Sequence, residues 1–425
     1  MTDSRRPKEM TQHIGNHKLD PATLMMGYGF DPALSEGALK PPIFNTSTFV
    51  FERAADGKRF FEGITGRRPS TGDGLVYSRF NNPNQEILED RLRIWEDAEE
   101  SLAFSSGMTA ITTLFLTFVR PGDVIVHSGP LYAATETIIN KILGQFGIKY
   151  VDFPAGATRE EIDDVLVRAK AMGNVSLIYL ESPANPTNAL VDVEAVHAAR
   201  AAAFDGDLPP IAIDNTFLGP LWARPLDQGA DISVYSLTKY AGGHSDLVAG
   251  GLTGKKALLD RVRMIRNTMG GICDPNTAWM LLRSLETLEL RMSRAGENAA
   301  KVCAFLRDHP KVETVGYLGF LERGSRQADI YNRHCLGAGS TFSLYLKGGE
   351  REAFAFLDAL KIAKLAVSLG GTETLASAPA AMTHLSVPDE RKAALGITDN
   401  LVRISIGVEK AEDLIADFGH ALDAI

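Results

Sequence analysis

The feature that most constrains the fold is an alternation of short apolar runs with longer segments of helical periodicity, beginning near residue 82. Apolar runs without polar alternation are typical of strands that are buried on both faces of a sheet. The seven runs are Leu102–Phe104, Val124–Val126, Ile148–Val151, Val175–Leu180, Ile211–Ile213, Ile232–Val234 and Leu247–Leu252. Helical segments separate most of them, namely Met108–Val119, Leu131–Phe146, Arg159–Ala171 and Val193–Ala203. The pattern predicts an α/β fold with a mostly parallel seven-stranded sheet covered by helices on both faces.

The pattern changes on either side of this alternation, which predicts three parts of the chain. Before residue 82 the sequence is rich in glycine, proline and charge, and the glycine-rich segment Asp56–Leu75 is interpreted as a long loop. A long helical stretch, Asn276–Arg307, then leads to strands near Val312–Gly316, Ser340–Tyr345 and Leu401–Ile406. The predicted parts are an N-terminal arm (1–81), a large sheet domain (82–285) and a smaller C-terminal α/β domain (286–425).

Length, charge and cysteine content argue against several classes of protein. A chain of 425 residues that is 45% hydrophobic is long enough for two domains with a large core. A formal net charge of −9 disfavours a nucleic-acid partner. The three cysteines form no CxxC pair and the nine histidines no HExxH motif, so no metal site is predicted. The N-terminus lacks an apolar signal core and no stretch is long enough to cross a bilayer, so we expect a cytoplasmic protein with no membrane partner.

One lysine lies in the segment Ser236-Leu-Thr238-Lys239-Tyr240, which follows the apolar run Ile232–Val234. The carboxyl ends of parallel strands are where α/β sheets bind ligands. Partial burial and a nearby cation lower the pKa of a lysine enough to make its amine a nucleophile toward an aldehyde. The hydroxyls of Ser236 and Thr238 suit an anionic phosphate beside that amine. The alternative interpretation is a surface lysine in a polar turn.

Two further charged residues lie inside or at the end of apolar strands. Asp214 ends the run Ile211–Ile213, and a buried carboxylate there needs a cation or several hydrogen-bond donors. A protonated ring nitrogen is one such partner, and a helix cap or a structural ion pair is the alternative. Arg403 interrupts the strand Leu401–Ile406 and needs a carboxylate, which either a substrate or an internal acidic residue supplies.

The run Leu102–Phe104 is followed by Ser105-Ser106-Gly107-Met108, which opens a helix. The backbone N–H groups of a helix start form an anion site when glycine permits close approach, although an ordinary strand-to-helix turn has the same pattern. Tyr132 begins the next predicted helix. Its ring is placed either to stack on a planar ligand or to pack in the core.

With these motifs in this order, the chain resembles the cysteine/methionine-metabolism family of pyridoxal-phosphate (PLP) enzymes, which includes cystathionine γ-synthase, cystathionine γ-lyase, methionine γ-lyase and O-acylhomoserine sulfhydrylase. The resemblance runs from about Pro41 to the C-terminus. The motifs that carry it are Tyr77-Ser-Arg79, Ser106-Gly107-Met108, Glu181-Ser-Pro-Ala-Asn185-Pro, Asp214-Asn215-Thr216, Ser236-Leu-Thr238-Lys239-Tyr240 and Leu401-Val-Arg403-Ile-Ser-Ile-Gly407. It implies a fold type I PLP-dependent transferase fold and a homotetramer built from two catalytic dimers.

The resemblance also implies a role for each site residue. Lys239 would form the internal aldimine and shuttle protons, Asp214 would pair with the pyridine nitrogen, and Tyr132 would stack on the ring and assist the leaving group. The remaining roles are phosphate binding (Gly107, Met108, Ser236, Thr238), contact with the phosphate of the neighbouring subunit by the arm (Tyr77, Arg79), and orientation of the cofactor oxygen and substrate carboxylate (Asn185, Ser368, Arg403).

The chemistry implied is γ-replacement or γ-elimination on an O-acylhomoserine or a sulfur-containing amino acid. Removal of the α-proton and then of a Cβ proton expels the γ-substituent. Either a nucleophile then adds at Cγ, or hydrolysis gives 2-oxobutanoate and ammonia. The alternative within the family is a methionine γ-lyase, which releases methanethiol as well. Two more distant alternatives are an aminotransferase and a PLP-binding regulator without turnover.

Three positions depart from patterns within that family. Val367 stands where cystathionine-processing members typically have glutamate, which favours substrates without a distal amino group. Ala134 stands where methionine γ-lyases typically have cysteine. In the segment that ends at His384, Ala378 replaces a histidine before Pro379. We therefore expect a modified substrate entrance, to which the basic segment Asp56–Leu75 contributes.

Overall fold

The computed structural model describes residues 11–65, 67–68, 74–385 and 387–425. Its strands are β1 (His13–Ile14), β2 (His17–Lys18), β3 (Glu100–Phe104), β4 (Val124–Gly129), β5 (Lys149–Pro154), β6 (Val175–Glu181), β7 (Ile211–Asp214), β8 (Ile232–Tyr235), β9 (Gly250–Gly254), β10 (Val312–Gly316), β11 (Thr341–Leu346), β12 (Lys364–Leu365), β13 (Leu375–Ser377) and β14 (Leu401–Ser405). Its α-helices are α1 (Pro21–Leu24), α2 (Ala54–Ile64), α3 (Pro83–Ile94), α4 (Gly107–Phe118), α5 (Ala133–Thr137), α6 (Arg159–Met172), α7 (Val193–Ala203), α8 (Gly219–Trp222), α9 (Lys256–Met269), α10 (Pro275–Leu285), α11 (Leu288–Arg307), α12 (Arg326–His334), α13 (Glu350–Ala359), α14 (Asp389–Ala394) and α15 (Ala411–Asp423).

The seven strands predicted from the apolar runs form one sheet in the order β3-β9-β8-β7-β6-β4-β5. Strands β5, β4, β6, β7 and β8 pair in parallel, and β9 is antiparallel to both β8 and β3. Because β9 alone is reversed, the carboxyl ends of the other strands lie at one edge of the sheet. The prediction of an α/β fold with a mostly parallel seven-stranded sheet is confirmed.

Helices cover both faces of this sheet, because its central strands are apolar on both sides. Strand β6 shows the division: Leu177 and Tyr179 pack with α4 and α9 on one face, whereas Ile178 and Leu180 pack with α6 and α7 on the other. Helix α3 begins as the sequence indicates, with Asn82 as its N-cap, accepting a hydrogen bond from the Asn84 N–H at 3.0 Å, and Pro83 in the first turn.

A second, five-stranded sheet follows in the order β10-β11-β14-β13-β12. Its central strand β14 carries Arg403, whose register partners are Ser343 on β11 and Ser377 on β13. Helices α11, α13 and α15 pack on this sheet around a core that includes Phe342, Phe356 and Phe418. The predicted smaller C-terminal α/β unit is therefore present, while the residues at which we divided the chain into domains remain a prediction.

Part of the segment interpreted as a long loop is helical, so that interpretation was wrong for the stretch covered by α2. Asp56–Leu75 holds five glycines, which suggested a loop, and two of them lie in α2. Ion pairs on the helix surface favour the helix, Arg59 with Asp56, and Lys58 with Glu62 at 3.7 Å. The Thr65 hydroxyl donates to the Phe61 carbonyl at 2.8 Å and satisfies the helix end. Residues 66 and 69–73 of this segment, like residues 1–10 of the predicted arm, lie outside the described residues.

Two other predicted helices are interrupted. The stretch Asn276–Arg307 divides into α10 and α11, and at the break the Ser284 carbonyl accepts from the Thr287 N–H at 3.1 Å and from the Arg291 side chain at 2.9 Å. The stretch Leu131–Phe146 is α-helical only in α5 and continues as a π turn (Ile138–Ile142) and a 3₁₀ turn (Leu143–Phe146). Within the part of the chain that the structure describes, none of the helices has the length and apolar character needed to cross a bilayer.

Candidate active site

The carboxyl edge of the large sheet brings together most of the predicted site residues. Asp214 ends β7, the segment Ser236–Lys239 follows β8, Tyr132 follows β4, and Asn185 follows β6. They line a cavity of about 280 Å³ together with the first turn of α4 and Arg403 of the second sheet. Open α/β sheets bind ligands at this edge, where the strand order reverses.

Lys239 lies in the floor of this cavity and is largely buried. Its Nζ donates to Ser368 Oγ at 2.9 Å, which joins the large sheet domain to the loop after β12. Burial, followed by the positive charge of Arg403, lowers the pKa of Lys239 to about 8, against the opposing effect of Asp214. The amine is therefore closer to its neutral, nucleophilic form at neutral pH than an exposed lysine.

Asp214 is a buried carboxylate with few partners. One carboxylate oxygen accepts a hydrogen bond from the Thr216 N–H at 2.9 Å. Burial raises the pKa of Asp214, while the hydrogen bonds from Thr216 and the charge of Lys239 act in the opposite direction. Among the described residues it forms no ion pair, so the structural ion pair considered as an alternative is not found. A cation in the cavity would stabilise this carboxylate.

Arg403 is a buried cation in the lining of the cavity, with 3% of its surface exposed. It donates to Asn185 Oδ1 at 3.3 Å and to the carbonyls of Val367 and Ser368 at 2.9 and 3.1 Å. Burial lowers its pKa to about 10. Within the described ranges no aspartate or glutamate pairs with it, so the guanidinium faces the cavity without a counter-charge. A ligand carboxylate would supply the missing counter-charge.

The first turn of α4 and the loop after β8 form a narrow cleft at one end of the cavity. The N-cap Ser106 accepts from the Thr109 N–H at 3.0 Å, which leaves the N–H groups of Gly107 and Met108 without helical partners. A Cβ on Gly107 would lie 3.1 Å from the Ser236 Cβ, a tight contact that would push the two segments apart by a few tenths of an ångström. The cleft has the properties of a phosphate site: backbone N–H groups, a helix N-terminus and a hydroxyl.

The structure shows the surroundings of Thr238, which was predicted to bind a phosphate, and of Tyr132, which was predicted to stack on a planar ring. The Thr238 hydroxyl donates to the Ala249 carbonyl at 3.1 Å and accepts from the Ala249 N–H at 3.0 Å, so its hydrogen is already used within the chain. Tyr132 is 41% exposed, and its side chain lines the cavity rather than packing in the core. The core position considered for this tyrosine is therefore not what the structure shows.

Tyr77 and Arg79 lie outside this cavity. Their side chains contact each other, with the Arg79 guanidinium 5.8 Å from the centre of the Tyr77 ring, and they line an open groove formed by the arm. The structure does not bring them to the site of their own chain. Their predicted contact with a neighbouring subunit remains a prediction.

Glu181 is a cavity residue to which the sequence reasoning gave no role. It ends β6 and is the register partner of Asp214 on β7. Burial, followed by the charge of Asp214, raises the pKa of Glu181 to about 8. The signal that identified Asp214, an acidic residue directly after an apolar run, is present here too, since Glu181 follows Val175–Leu180.

His384 was noted in the sequence as part of a departure, and it lies beside Arg403 and Thr383. Its Nδ1 is 2.9 Å from Thr383 Oγ1, and Thr383 lines the cavity. Burial, followed by the charge of Arg403, lowers the pKa of His384 to about 4, so the imidazole is neutral at physiological pH. Its sequence context gave no sign of this position, because Arg403, whose charge acts on the imidazole, belongs to another element.

One cluster with potential metal ligands, Asp192, Glu194 and His334, lies away from the cavity. The sequence predicted no metal site, because it has neither a CxxC pair nor an HExxH motif, and His334 lies far along the chain from Asp192 and Glu194. Arg333 donates to Asp192 at 2.8 Å and to Glu194 at 2.6 Å. A cation therefore already compensates these carboxylates.

The residues around the cavity fit PLP. A lysine amine with a lowered pKa suits its aldehyde, a buried carboxylate without a counter-ion suits its ring nitrogen, and the cleft at α4 suits its phosphate. The fold and the cavity together define the class of PLP-dependent enzymes of fold type I. The chain belongs to the Cys/Met metabolism PLP-dependent enzyme family, which it matches over residues 22–423.

Individual relatives agree with this assignment. The chain is 38% identical to an L-methionine gamma-lyase of Pseudomonas deceptionensis, with 95% of this chain and 97% of the relative covered. It is 37% identical to a cystathionine gamma-lyase of Bacillus subtilis, with 95% and 99% covered. Among solved structures, a cystathionine gamma synthase from Xanthomonas oryzae pv. oryzae matches with a TM-score of 0.85 and 31% identity, with 96% and 99% covered. The predictions of family, enzyme class and cofactor are confirmed.

Proposed function

We propose that this enzyme catalyses γ-replacement or γ-elimination on an amino acid with an uncharged leaving group at Cγ, such as an O-acylhomoserine or methionine. The observation that carries the proposal is the buried Arg403 guanidinium, which faces the Lys239 amine across Ser368 and has no carboxylate partner among the described residues. A substrate whose carboxylate binds Arg403 would place its α-carbon near that amine. Relatives named lyases and synthases support both reaction branches.

Each predicted site residue has a place in this proposal. Bound PLP supplies an electron-poor ring that stabilises negative charge on the substrate carbons. Lys239 would hold the cofactor and carry protons between the α- and γ-sides of the substrate. Asp214 would keep the ring nitrogen protonated, and Tyr132 would stack on the ring beside the leaving group. The phosphate would bind at Gly107, Met108 and Ser236, and at Thr238 if its hydroxyl exchanges the Ala249 carbonyl for the phosphate. The substrate carboxylate would bind at Arg403, Asn185 and Ser368.

The wall beyond the substrate carboxylate site favours an uncharged γ-substituent. Val367, Leu369, Val248 and Phe217 are apolar residues in the cavity lining, and Val367 stands where cystathionine-processing members of the family typically have glutamate. A distal ammonium group would meet no carboxylate from these side chains, and its transfer into apolar surroundings is unfavourable. A thioether or an acyl ester matches the wall better. Methionine γ-lyase activity is the second candidate, because several relatives carry that name.

The quaternary structure is part of the proposal. Tyr77 and Arg79 line an exposed groove of the arm, away from the cavity of their own chain. We expect them to complete the phosphate site of a neighbouring subunit in a catalytic dimer, with two dimers forming a tetramer. A cytoplasmic location likewise remains a prediction from the sequence.

The test is 2-oxobutanoate release by the PLP-loaded enzyme from L-methionine and from O-acetyl-L-homoserine, each with and without a thiol. Release from methionine without a thiol would identify a lyase; product formation from the acylhomoserine only with a thiol would identify a γ-replacement transferase. Lys239→Ala should lower either rate by about 1000-fold or more. Lys256→Ala is the matched control, because Lys256 is exposed and pairs with Asp260.

Absence of turnover with both amino acids, with or without thiol, would contradict the proposal. Stoichiometric conversion of the cofactor to its pyridoxamine form would instead identify an aminotransferase. Bound PLP with no conversion of any amino acid would indicate a regulator. An unchanged visible absorbance in Lys239→Ala would place the cofactor linkage on another residue.

A further inference from the structure

We propose that Glu181 is a positioning residue of the active site, whose carboxylate fixes the main chain at Tyr132 and at Asn185 and thereby sets the two groups relative to each other. The inference rests on the proposed function, in which Tyr132 stacks on the cofactor and Asn185 orients the substrate carboxylate. Glu181 would act through these two residues rather than on the reacting atoms.

The two oxygens of Glu181 are used by two different segments of the chain. Oε2 accepts a hydrogen bond from the Tyr132 N–H at 2.6 Å, and Oε1 accepts one from the Asn185 N–H at 3.0 Å. Tyr132 follows β4, whereas Asn185 lies in the loop after β6, so the carboxylate joins two loops at neighbouring strand ends. The Glu181 N–H also donates to Ser128 Oγ on β4 at 3.0 Å, which holds the acceptor itself in place.

Both N–H donors need this acceptor. Glu181 is 4% exposed and Asn185 4% exposed, so water has little access to either end of the Asn185 bond. A buried N–H group that loses its partner carries the full cost of its desolvation. A movement of Glu181 would therefore force the loop at Asn185 or the turn at Tyr132 to rearrange. Because Asn185 Oδ1 in turn accepts from Arg403 at 3.3 Å, that movement would reach the substrate carboxylate site.

The charges around Glu181 indicate that this arrangement has a function beyond holding the fold. Glu181 and Asp214 are register partners, and two buried acidic groups side by side disfavour each other's ionised form. An acceptor with no second acidic residue beside it would hold the loops at lower cost. Asp417 shows this simpler arrangement in the C-terminal unit, where it accepts from the N–H groups of Lys361, Ile362 and Ala363 at 2.7, 3.0 and 2.9 Å.

An amide cannot replace the carboxylate at this position. Glutamine offers one oxygen and one NH₂ group, so in either orientation its NH₂ would face the N–H of Tyr132 or of Asn185. One of the two segments must then move. Aspartate keeps both acceptor oxygens but is shorter by one methylene. It can therefore still accept from both N–H groups, but over longer hydrogen bonds.

The experiment compares Glu181→Gln, Glu181→Asp and the control Asp417→Asn as PLP-loaded enzymes. The readouts are the PLP dissociation constant from equilibrium dialysis, KM and kcat with O-acetyl-L-homoserine or L-methionine, and the melting temperature. Glu181→Gln should raise both the PLP dissociation constant and KM by about tenfold to a hundredfold. Glu181→Asp should recover part of each loss, whereas Asp417→Asn should lower the melting temperature with PLP affinity and KM unchanged.

The inference is overturned if Glu181→Gln leaves the PLP dissociation constant and KM within about twofold of wild type. It is also overturned if Glu181→Gln behaves like Asp417→Asn and changes only the melting temperature. If Glu181→Gln does not fold, Glu181→Asp supplies the same comparison. Failure of the proposed function is seen separately, as absent turnover by the wild-type enzyme, and the PLP dissociation constants then still decide the role of Glu181.

Discussion

At the scale of single residues, the site is marked by buried charges that the chain itself does not neutralise. Arg403 and Asp214 are both buried, and within the described residues neither has an ion-pair partner. Uncompensated charges are costly in a folded protein. Their retention in the lining of one cavity is explained by a ligand that carries both an anionic and a cationic group.

Arg403→Lys tests whether Arg403 binds the carboxylate of the substrate. Lysine keeps the positive charge but loses the planar pair of donors that binds a carboxylate through two parallel hydrogen bonds. Loss of such a bond costs about 1.5–3 kcal/mol, so KM should rise roughly 10- to 100-fold. The measurement is steady-state kinetics with the preferred substrate.

Arg200→Lys is the control for that prediction. Arg200 is equally buried but pairs with Asp231, away from the cavity. Its substitution should lower the melting temperature and leave KM unchanged. Equal KM values for wild type and Arg403→Lys would show that the substrate carboxylate binds elsewhere.

Sequence reasoning could find residues whose own strand context was unusual. Lys239, Asp214 and Arg403 each interrupt or follow an apolar run, which made them visible without a structure. Glu181 had the same signal but no role was assigned, because the significance of its carboxylate lies in two N–H groups on other segments. His384 had no local signal, since its burial beside Arg403 results from packing between distant parts of the chain.

At the scale of secondary structure, the site depends on how closely the loops at the sheet edge approach each other. Gly250 opens β9 opposite the turn that leads into α4. A Cβ at this position would lie 2.2 Å from the Ser106 carbonyl oxygen, which is main chain and cannot turn aside. The turn at Ser106 can therefore lie this close to β9 only because residue 250 has no Cβ.

Gly250→Ala should displace the Ser106–Gly107 turn. Forcing a methyl group into a packed site costs about 1–3 kcal/mol, and the affinity for PLP should fall together with the melting temperature. Thermal denaturation and equilibrium dialysis measure the two effects. Gly144→Ala is the control, since a Cβ there meets nothing within 4 Å. Similar behaviour of the two variants would count against a role for this close approach.

Elements with a strong local pattern were predictable, and elements that depend on tertiary contacts were not. The apolar runs identified all strands of the large sheet, although β9 begins at Gly250 rather than at Leu247. Helix α2 was missed because its glycines indicated a loop, whereas Arg59, Asp56, Lys58 and Glu62 stabilise it through ion pairs. At the break between α10 and α11 the Ser284 carbonyl accepts from the Thr287 N–H and the Arg291 side chain, contacts that periodicity does not reveal.

At the scale of the whole molecule, the arm is the part least explained by a single chain. Helix α2 has no buried residue, and Val50 is 94% exposed beside it. Tyr77 and Arg79 lie in the same region, away from the cavity. A second subunit would cover this surface and would receive these two side chains in its phosphate site.

Mixing two inactive variants tests shared sites. Arg79→Ala alone should weaken PLP retention, and Lys239→Ala alone should abolish turnover. If the arm of one subunit completes the site of the other, a hybrid dimer has one intact site, and random reassociation should restore roughly a quarter of wild-type activity. Mixing Lys239→Ala with Asp214→Asn is the control, because both changes affect the site of their own chain and every hybrid site stays defective. No recovery in the first mixture would contradict the shared-site arrangement.

Arg403 and Lys239 belong to different sheets, and this has a mechanical consequence. Arg403 lies on β14 of the smaller sheet, while Lys239 follows β8 of the larger one. An amino acid held by its carboxylate at Arg403 and by its amine near Lys239 would link the smaller sheet to the larger one. Bound substrate would therefore make the contact between the two sheet domains more rigid. Asn188 donates to the carbonyls of Gly316 and Thr341 at this contact, and backbone amide protons there would exchange with solvent more slowly when substrate is bound.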